Sequence, residues 1–218
     1  MRTLSDIAAR KTGAFASRFR RKESGVVAVE FAFIAPMLVL FLLGTTSVSQ
    51  SLWAHGKVSQ TSSVIGDLIA QQTDLDDTSF RDLVNAGPVL MEPFEVGDLR
   101  IEVTSAIACH DDPTDTTNSV PSMFIAWNKG WSGGNLIGVT GGPGDPMAGA
   151  PEDLTIDDGD YLVKTEVTYT YAPPFSREAG YEIEMGEIAF HQPRGYNPVS
   201  YPSEEGTETA NCDDLMNR

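Results

Sequence analysis

The sequence predicts an α+β chain: a long N-terminal helix, a short second helix, then a small antiparallel β-sheet. Three observations carry that prediction. An apolar run over Val26–Leu43 continues into a helically spaced pattern that reaches Gln72. A shorter amphipathic stretch follows around Phe80. From Leu99 onward the apolar period changes from helical to two, the signature of half-buried strands.

Charge is distributed as unevenly as hydropathy. Residues 1–25 hold seven Lys/Arg against Asp6 and Glu23, a net of +5. Residues 26–218 hold eight Lys/Arg against twenty-nine Asp/Glu, a net of −21. A basic head, an apolar bridge and an acidic body is the layout of a protein held across a bilayer. The positive-inside rule places the head in the cytoplasm and the body outside. So acidic a body excludes nucleic acid as a partner, because that partner needs a cationic footprint. The length, 218 residues, suits one ordinary domain or two small ones.

The apolar run is interrupted only by Glu30 and Pro36. Its eighteen residues span roughly 27 Å at about 1.5 Å per residue, barely a hydrocarbon core. Gly44–Val48 is small and uncharged and extends the span toward Trp53, which suits an interfacial anchor. A buried soluble helix would need core on every side, which sits badly beside a +5 leader. A removable signal peptide would carry an unusually long positive region, and no clean small-x-small cleavage site follows Leu43. Arg20-Arg21 resembles a twin-Arg signal, but Lys22-Glu23-Ser24 stands where that signal wants an apolar run. An anchor is the better reading. Glu30 then needs a reason, since an intramembrane carboxylate costs about 2.5–3.5 kcal/mol on insertion scales and tends to mark function. The bland reading places Glu30 one turn inside the cytoplasmic interface, reaching the headgroups or Arg20–Lys22.

Basic residues, Glu23-Ser24-Gly25 and then Val26-Val27-Ala28-Val29-Glu30-Phe31-Ala32-Phe33-Ile34-Ala35-Pro36 resemble the N-terminus of the TadE/TadG-like family. These are pseudopilins, or minor pilins, of the tight-adherence (Flp-type) pilus systems of bacteria. The resemblance implies that a prepilin peptidase cuts between Gly25 and Val26. Glu30 would then be the fifth residue of the mature chain, where prepilins carry their Glu. Gly25 presents no side chain to a protease, and cleavage would create an ammonium at Val26. A carboxylate one helical turn on can neutralise that amine, or pair with the amine of a neighbouring subunit and set the register. Family members often carry a Glu about three residues after the Gly that ends the apolar run. Here that place is Ser47, so no role passes to it.

The helix is expected to continue as a stalk. Leu52, Val58, Ile65, Leu68 and Ile69 recur near helical spacing, with a Ser/Thr/Gln face either solvated or packed on the body. Gly56 and Gly66 each weaken it by up to about 1 kcal/mol relative to Ala. A helix over 26–72 would be about 70 Å long. The second helix starts near Thr78 or Ser79, either as N-cap, with Phe80, Leu83, Val84 and Val89–Met91 on its apolar side. Pro88 should kink it or split it at Gly87. Leu99, Ile101, Val103, Ile107 and Cys109 share one parity and predict a strand. A polar loop, Asp111–Asn118, leads to a hairpin partner at Met123–Asn128, and Gly130–Pro151 reads as a long loop. Tyr161, Val163, Val167, Tyr169 and Tyr171 alternate with Lys164, Glu166, Thr168 and Thr170 in a second long strand ended by Ala172-Pro173-Pro174. A last strand covers Tyr181–His191, whose apolar phase flips around Gly186 and predicts a bulge. This order fits a pilin-like α+β module, and Tyr169–Pro173 and His191–Arg194 also look like the family's C-terminal half.

The expected organisation is a basic cytoplasmic leader over 1–25, a transmembrane helix over 26–48 and a stalk helix over 49–72. An extracytoplasmic α+β domain over 73–202 and an acidic tail over 203–218, disordered except where Cys212 pins it, complete it. Cys109 and Cys212 are the only cysteines. In an extracytoplasmic body their even number permits one disulfide; otherwise they are two thiols too far apart to meet.

Catalytic and cofactor chemistry is not legible. Asp153, Asp157, Asp158 and Asp160 form a weak calcium candidate whose spacing does not match an EF-hand loop. A solvated turn is the plainer account, and the same holds for Asp111, Asp112 and Asp115. His55, His110 and His191 lack ligand spacing. Gly141-Gly142-Pro143-Gly144 lacks the Lys and Ser/Thr of a phosphate loop, and Ser132-Gly133-Gly134 is no nucleophile elbow. No enzyme activity and no cofactor is expected. The resemblance implies a single-pass inner-membrane protein that meets pilin or pseudopilin subunits, pilus assembly machinery and a prepilin peptidase. The alternative is a membrane-tethered periplasmic binding domain that retains a pilin-like anchor.

Overall fold

The structure, a computed structural model, describes residues 24–110, 121–150, 156–173, 180–194, 199–203, 206–208 and 212. The leader up to Glu23, the Asp111–Asn118 loop, Asp153 and most of the acidic tail lie outside the described residues. The chain divides into two units, Met1–Ser49 and Gln50–Arg218. One helix, α1 (Ser24–Ala70), contributes to both. In the first unit α1 is apolar all round, and its residues are exposed almost without exception. Pro36 lies inside the helix without ending it.

In the second unit α1 has a single buried stripe. Ala54, Val58, Thr61, Ser62, Ile65, Gly66, Ile69 and Ala70 are buried, at the three- and four-residue spacing of one helix face. The Ser/Thr face is therefore partly packed, whereas Leu52, expected on the apolar face, is 68% exposed. Small residues in the stripe let the sheet come close. A Cβ added to Gly66 would lie 2.5 Å from His191 Nδ1 and 3.0 Å from Thr165 Oγ1.

Two short helices follow, α2 (Asp77–Val84) and α3 (Ala86–Met91). The N-cap of α2 is Asp76, two residues before the earlier expected cap, and its Oδ1 accepts the Ser79 N–H at 2.7 Å. A carboxylate reaches the orphan N–H of the first turn as a hydroxyl does, with added charge for the helix dipole. The break falls at Asn85, ahead of the expected Gly87. Pro88 explains this, because a continuous helix would press its ring against the carbonyl four residues back, on Val84. Within the first turn of α3 the missing proline N–H costs nothing.

The sheet contains β1 (Arg100–Cys109), β2 (Ser122–Ser132), β3 (Asn135–Ile137), β4 (Tyr161–Tyr171) and β5 (Ile183–His191), in the order β3-β2-β1-β4-β5. Every pairing is antiparallel. The fold is thus α+β, with a long apolar helix, short helices and an antiparallel sheet, as the sequence predicts. Two stretches depart from expectation. β2 runs to Ser132 and turns through Gly133-Gly134 into β3, so Gly130–Pro151 is not one long loop. Both glycines have positive φ, 56° and 86°, which a tight two-residue hairpin demands. The bulge expected at Gly186 is absent, since β4 and β5 pair in unbroken register from Val163↔His191 to Tyr171↔Ile183. The register shift lies between β1 and β2 instead, where Ser105 faces Trp127 and Ala106 faces Ile125.

That shift has a packing consequence. Trp127 and Trp131 join the main core with Leu99, Ile101, Val103, Val163, Val167, Tyr169 and the α1 stripe. Met123 and Ile125 instead join Ala106, Ala108, Leu162 and Met147 in a second core. The chain at Pro146–Met147 closes over this second core, with Ile125 N–H bonded to Asp145 O and Met147 N–H to Met123 O, both at 2.8 Å. β5 shows the same change of covered face. Met185 belongs to the main core and Phe190 packs on the second, so its apolar phase flips without an extra residue. A small hairpin, β6 (Tyr201–Ser203) and β7 (Gly206–Glu208), joins the end of the expected domain to the start of the expected tail.

Candidate functional site

Gly25, Val26 and Glu30 lie in the first turns of α1. Val26 and Glu30 are four residues apart, so they share a face one turn from each other. Gly25 is open, with no atom within 4 Å of an added Cβ, and Glu30 is exposed. Around them Val26, Val29, Phe33, Met37 and Phe41 expose between 57% and 76% of their surface. An apolar surface of this size, broken by the single charge of Glu30, needs lipid or other helices to cover it.

The polar residues that follow do not break the span. Thr45 and Thr46 each donate a hydroxyl hydrogen bond back to a carbonyl one turn earlier, Phe41 O and Leu42 O, both at 2.8 Å. Hydroxyls satisfied within the helix ask nothing of a hydrocarbon surround. The helix from Gly25 is long and apolar enough to cross a membrane, and its apolar window is unburied.

The remaining candidate residues lie in the second unit. Cys109 and Cys212 are joined as a disulfide with a Cα–Cα distance of 5.6 Å. Ile107, Phe124 and Tyr161 pack around the bridge, and burial raises the pKa of the Tyr161 phenol. Of the weak calcium candidate, Asp158 Oδ1 accepts the His110 N–H at 3.2 Å and Asp160 Oδ2 accepts the Asp157 N–H at 3.1 Å. Those carboxylates hold the turn before β4 in place. Among the described residues no group of three His, Cys, Asp or Glu side chains is placed to hold a metal ion.

Sequence reasoning missed how the C-terminal segment docks. The Tyr201 hydroxyl donates to Asp77 Oδ1, Lys129 Nζ lies 3.4 Å from the same oxygen, and Lys129 stands 4.7 Å over the Tyr201 ring. The Tyr201 hydrogen bond first, then the Lys129 charge, hold the Asp77 carboxyl below the usual range. Burial first, then the bond to Asp77, drive the Tyr201 phenol well above its ordinary value. Trp127 Nε1–H donates to Val199 O at 2.6 Å and completes the contact. Residues so distant in sequence gave no local signal.

It also missed a pocket of about 360 Å³ walled by Trp53, Phe94 and Tyr171 and lined by Glu95 and Asp98. A second, of about 390 Å³, lies over β1 and β4, where Glu102 faces Glu166 across the pairing. Lys164 sits there 3.1 Å from Glu166, and Arg100 bonds Glu102, so cations offset the opposed carboxylates.

The comparisons with known proteins bear on α1 alone. No curated protein and no solved structure matches the chain. The matching family model covers residues 25–65, beginning at the glycine of the expected processing junction and ending inside α1. Over those residues the chain is similar to TadE-like proteins.

Proposed function

We propose that the protein is a pseudopilin, or minor pilin, of a tight-adherence pilus system, made as a precursor and cut between Gly25 and Val26. Its single span holds it in the bacterial inner membrane, with the basic leader cytoplasmic and the disulfide-bonded unit periplasmic. The exposed apolar face of α1 packs against pilin or pseudopilin subunits as the pilus is built. Its role is structural; it has no enzymatic activity of its own. The observation that carries this reading is the bare, apolar helix that runs on from Gly25 and bears Glu30 one turn after Val26. A soluble domain would not leave such a helix uncovered.

The resemblance and the charge asymmetry support the cleavage and the orientation. Mass spectrometry of the membrane-purified protein is expected to find a mature N-terminus at Val26. An intact N-terminus in cells that contain the matching peptidase would overturn the processing step.

A further inference from the structure

The two edges of the sheet are finished differently. On the β2 side, β3 pairs with Gly130, Trp131 and Ser132, and residues 144–147 close over Met123 and Ile125 through backbone hydrogen bonds of 2.8 Å. On the other side, among the described residues, only β4 bonds to the backbone of Ile183–His191. In an antiparallel ladder every second residue turns its N–H and C=O away from the strand it pairs with. β5 therefore offers a row of open backbone groups along its nine residues. Its pairing with β4 has no bulge, and no proline lies between Ile183 and His191. Two of the usual devices that blunt a sheet edge are thus missing, and charge is the one that remains.

The side chains make that charge selective. Glu184, Gly186 and Ile188 alternate onto one face, since Met185 lies in the main core and His191 meets α1 at Gly66 on the other. Glu184 is exposed, Gly186 has no atom within 4 Å of an added Cβ, and Ile188 is 43% exposed. A strand laid beside them meets a carboxylate, a bare stretch of backbone and an aliphatic side chain in turn. Glu182 adds a second exposed carboxylate just ahead of β5. Among the described residues neither Glu182 nor Glu184 has an ion-pair partner, whereas Glu187 has His55 Nε2 at 3.2 Å.

We propose that β5 receives an extended segment of a partner protein as a further strand, antiparallel like the rest of the sheet. The segment carries Lys or Arg opposite Glu184, an aromatic residue over Gly186 and an aliphatic residue opposite Ile188. Backbone hydrogen bonds supply affinity, and these three side chains supply specificity. Opposite charges attract across a strand pair, aliphatic neighbours bury each other, and an aromatic ring fills the space an edge glycine leaves. A second copy of this chain would bring its own Glu182, Glu184 and Glu187 to the pairing, so charge favours a basic partner over self-association. The inference concerns the second unit by itself. It depends neither on cleavage after Gly25 nor on the membrane placement of α1.

The test uses the full chain in neutral detergent micelles and a short fluorescent peptide, as long as β5, with capped ends. Its centre reads Val-Thr-Tyr-Thr-Lys, the order an antiparallel strand needs, and Thr fills the flanks. Fluorescence anisotropy is expected to show binding, and amide hydrogen exchange to slow in β5. Replacing the peptide Lys with Glu should weaken binding about three- to tenfold. Glu184→Gln should remove that ranking and Glu184→Lys should reverse it, which fixes the Lys to one position of β5. Methylating alternate peptide nitrogens should abolish binding for one set and spare the other, a pattern that contact through side chains alone does not produce. Absence of peptide binding, or β5 amides already protected throughout in the free chain, overturns the open edge. A ranking of Lys over Glu that both Glu184 variants leave unmoved overturns the pairing at that residue. Protection of β5 that rises with the concentration of the chain alone points to a second copy and overturns the basic partner.

Discussion

Gly56 and Gly66 occupy the same helix and should answer to alanine in opposite directions. Gly56 has nothing within 4 Å of an added Cβ, so Gly56→Ala removes only the entropic cost of glycine in a helix. Thermal unfolding of that variant is expected to show a gain of up to about 1 kcal/mol. At Gly66 the new methyl would meet the His191 ring and Thr165 Oγ1, and Gly66→Ala should lose about 1–3 kcal/mol through overpacking. A neutral Gly66→Ala would show that β5 yields there. The sequence reads both residues alike, as helix weakeners, because the difference is made by two strands, β4 and β5, far along the chain. Glu30 is the reverse case. Its oddity is wholly legible in the sequence, and the structure adds only that it is exposed and one turn from Val26. Glu30→Ala is expected to insert normally and to reduce piliation counted by electron microscopy. Wild-type pilus numbers in that variant would remove the register role given to the carboxylate.

Elements were legible where burial is one-sided. β4 reads correctly from alternation because Val163, Thr165, Val167, Tyr169 and Tyr171 are all buried on one face, against the main core. β5 misleads because the covered face changes from Met185 to Phe190, a tertiary fact that looks in sequence like an inserted residue. β3 was hidden by its shortness and by glycines that signal a loop as readily as a turn. The β6 segment was hidden for another reason: it is held by its partners. Asp77 has a depressed pKa in the folded protein, so by linkage its contribution is present above its unfolded pKa and is lost as pH falls through the folded value. Tyr201 has a raised pKa, so its contribution is present at neutral pH and is lost as pH rises past the ordinary phenol value toward the folded one. The expected result is that Asp77→Asn lowers the urea midpoint at pH 7, and that the gap to wild type narrows in strong acid. Tyr201→Phe should similarly converge with wild type in strong alkali. A gap independent of pH would mean that packing by Phe80 and Trp127, not the charge, secures the segment.

At the scale of the whole molecule, the charge asymmetry and the disulfide make a joint prediction. The Cys109–Cys212 bridge closes a loop of 103 residues and fastens the C-terminal segment to the end of β1. Constraint of so long a loop contributes up to about 4–5 kcal/mol in the chain-entropy account, so Cys212→Ser should be among the most destabilising single changes outside the main core. Such a bridge persists only in an oxidising compartment. Arg20, Arg21 and Lys22, beside the span, are what should retain the leader in the cytoplasm and send the acidic unit outward. The two effects can be read together by trapping thiols in intact cells and running the protein without reductant. Wild type is expected to be fully bridged and to run faster than its reduced form. Reversing Arg20, Arg21 and Lys22 to Glu should leave a membrane-bound population whose cysteines both take up the thiol probe, because the acidic unit is then retained on the reducing side. If the charge-reversed chain stays fully bridged, the basic cluster does not set the orientation. The export of the acidic unit would then have to be directed by the span or by the assembly machinery that receives it.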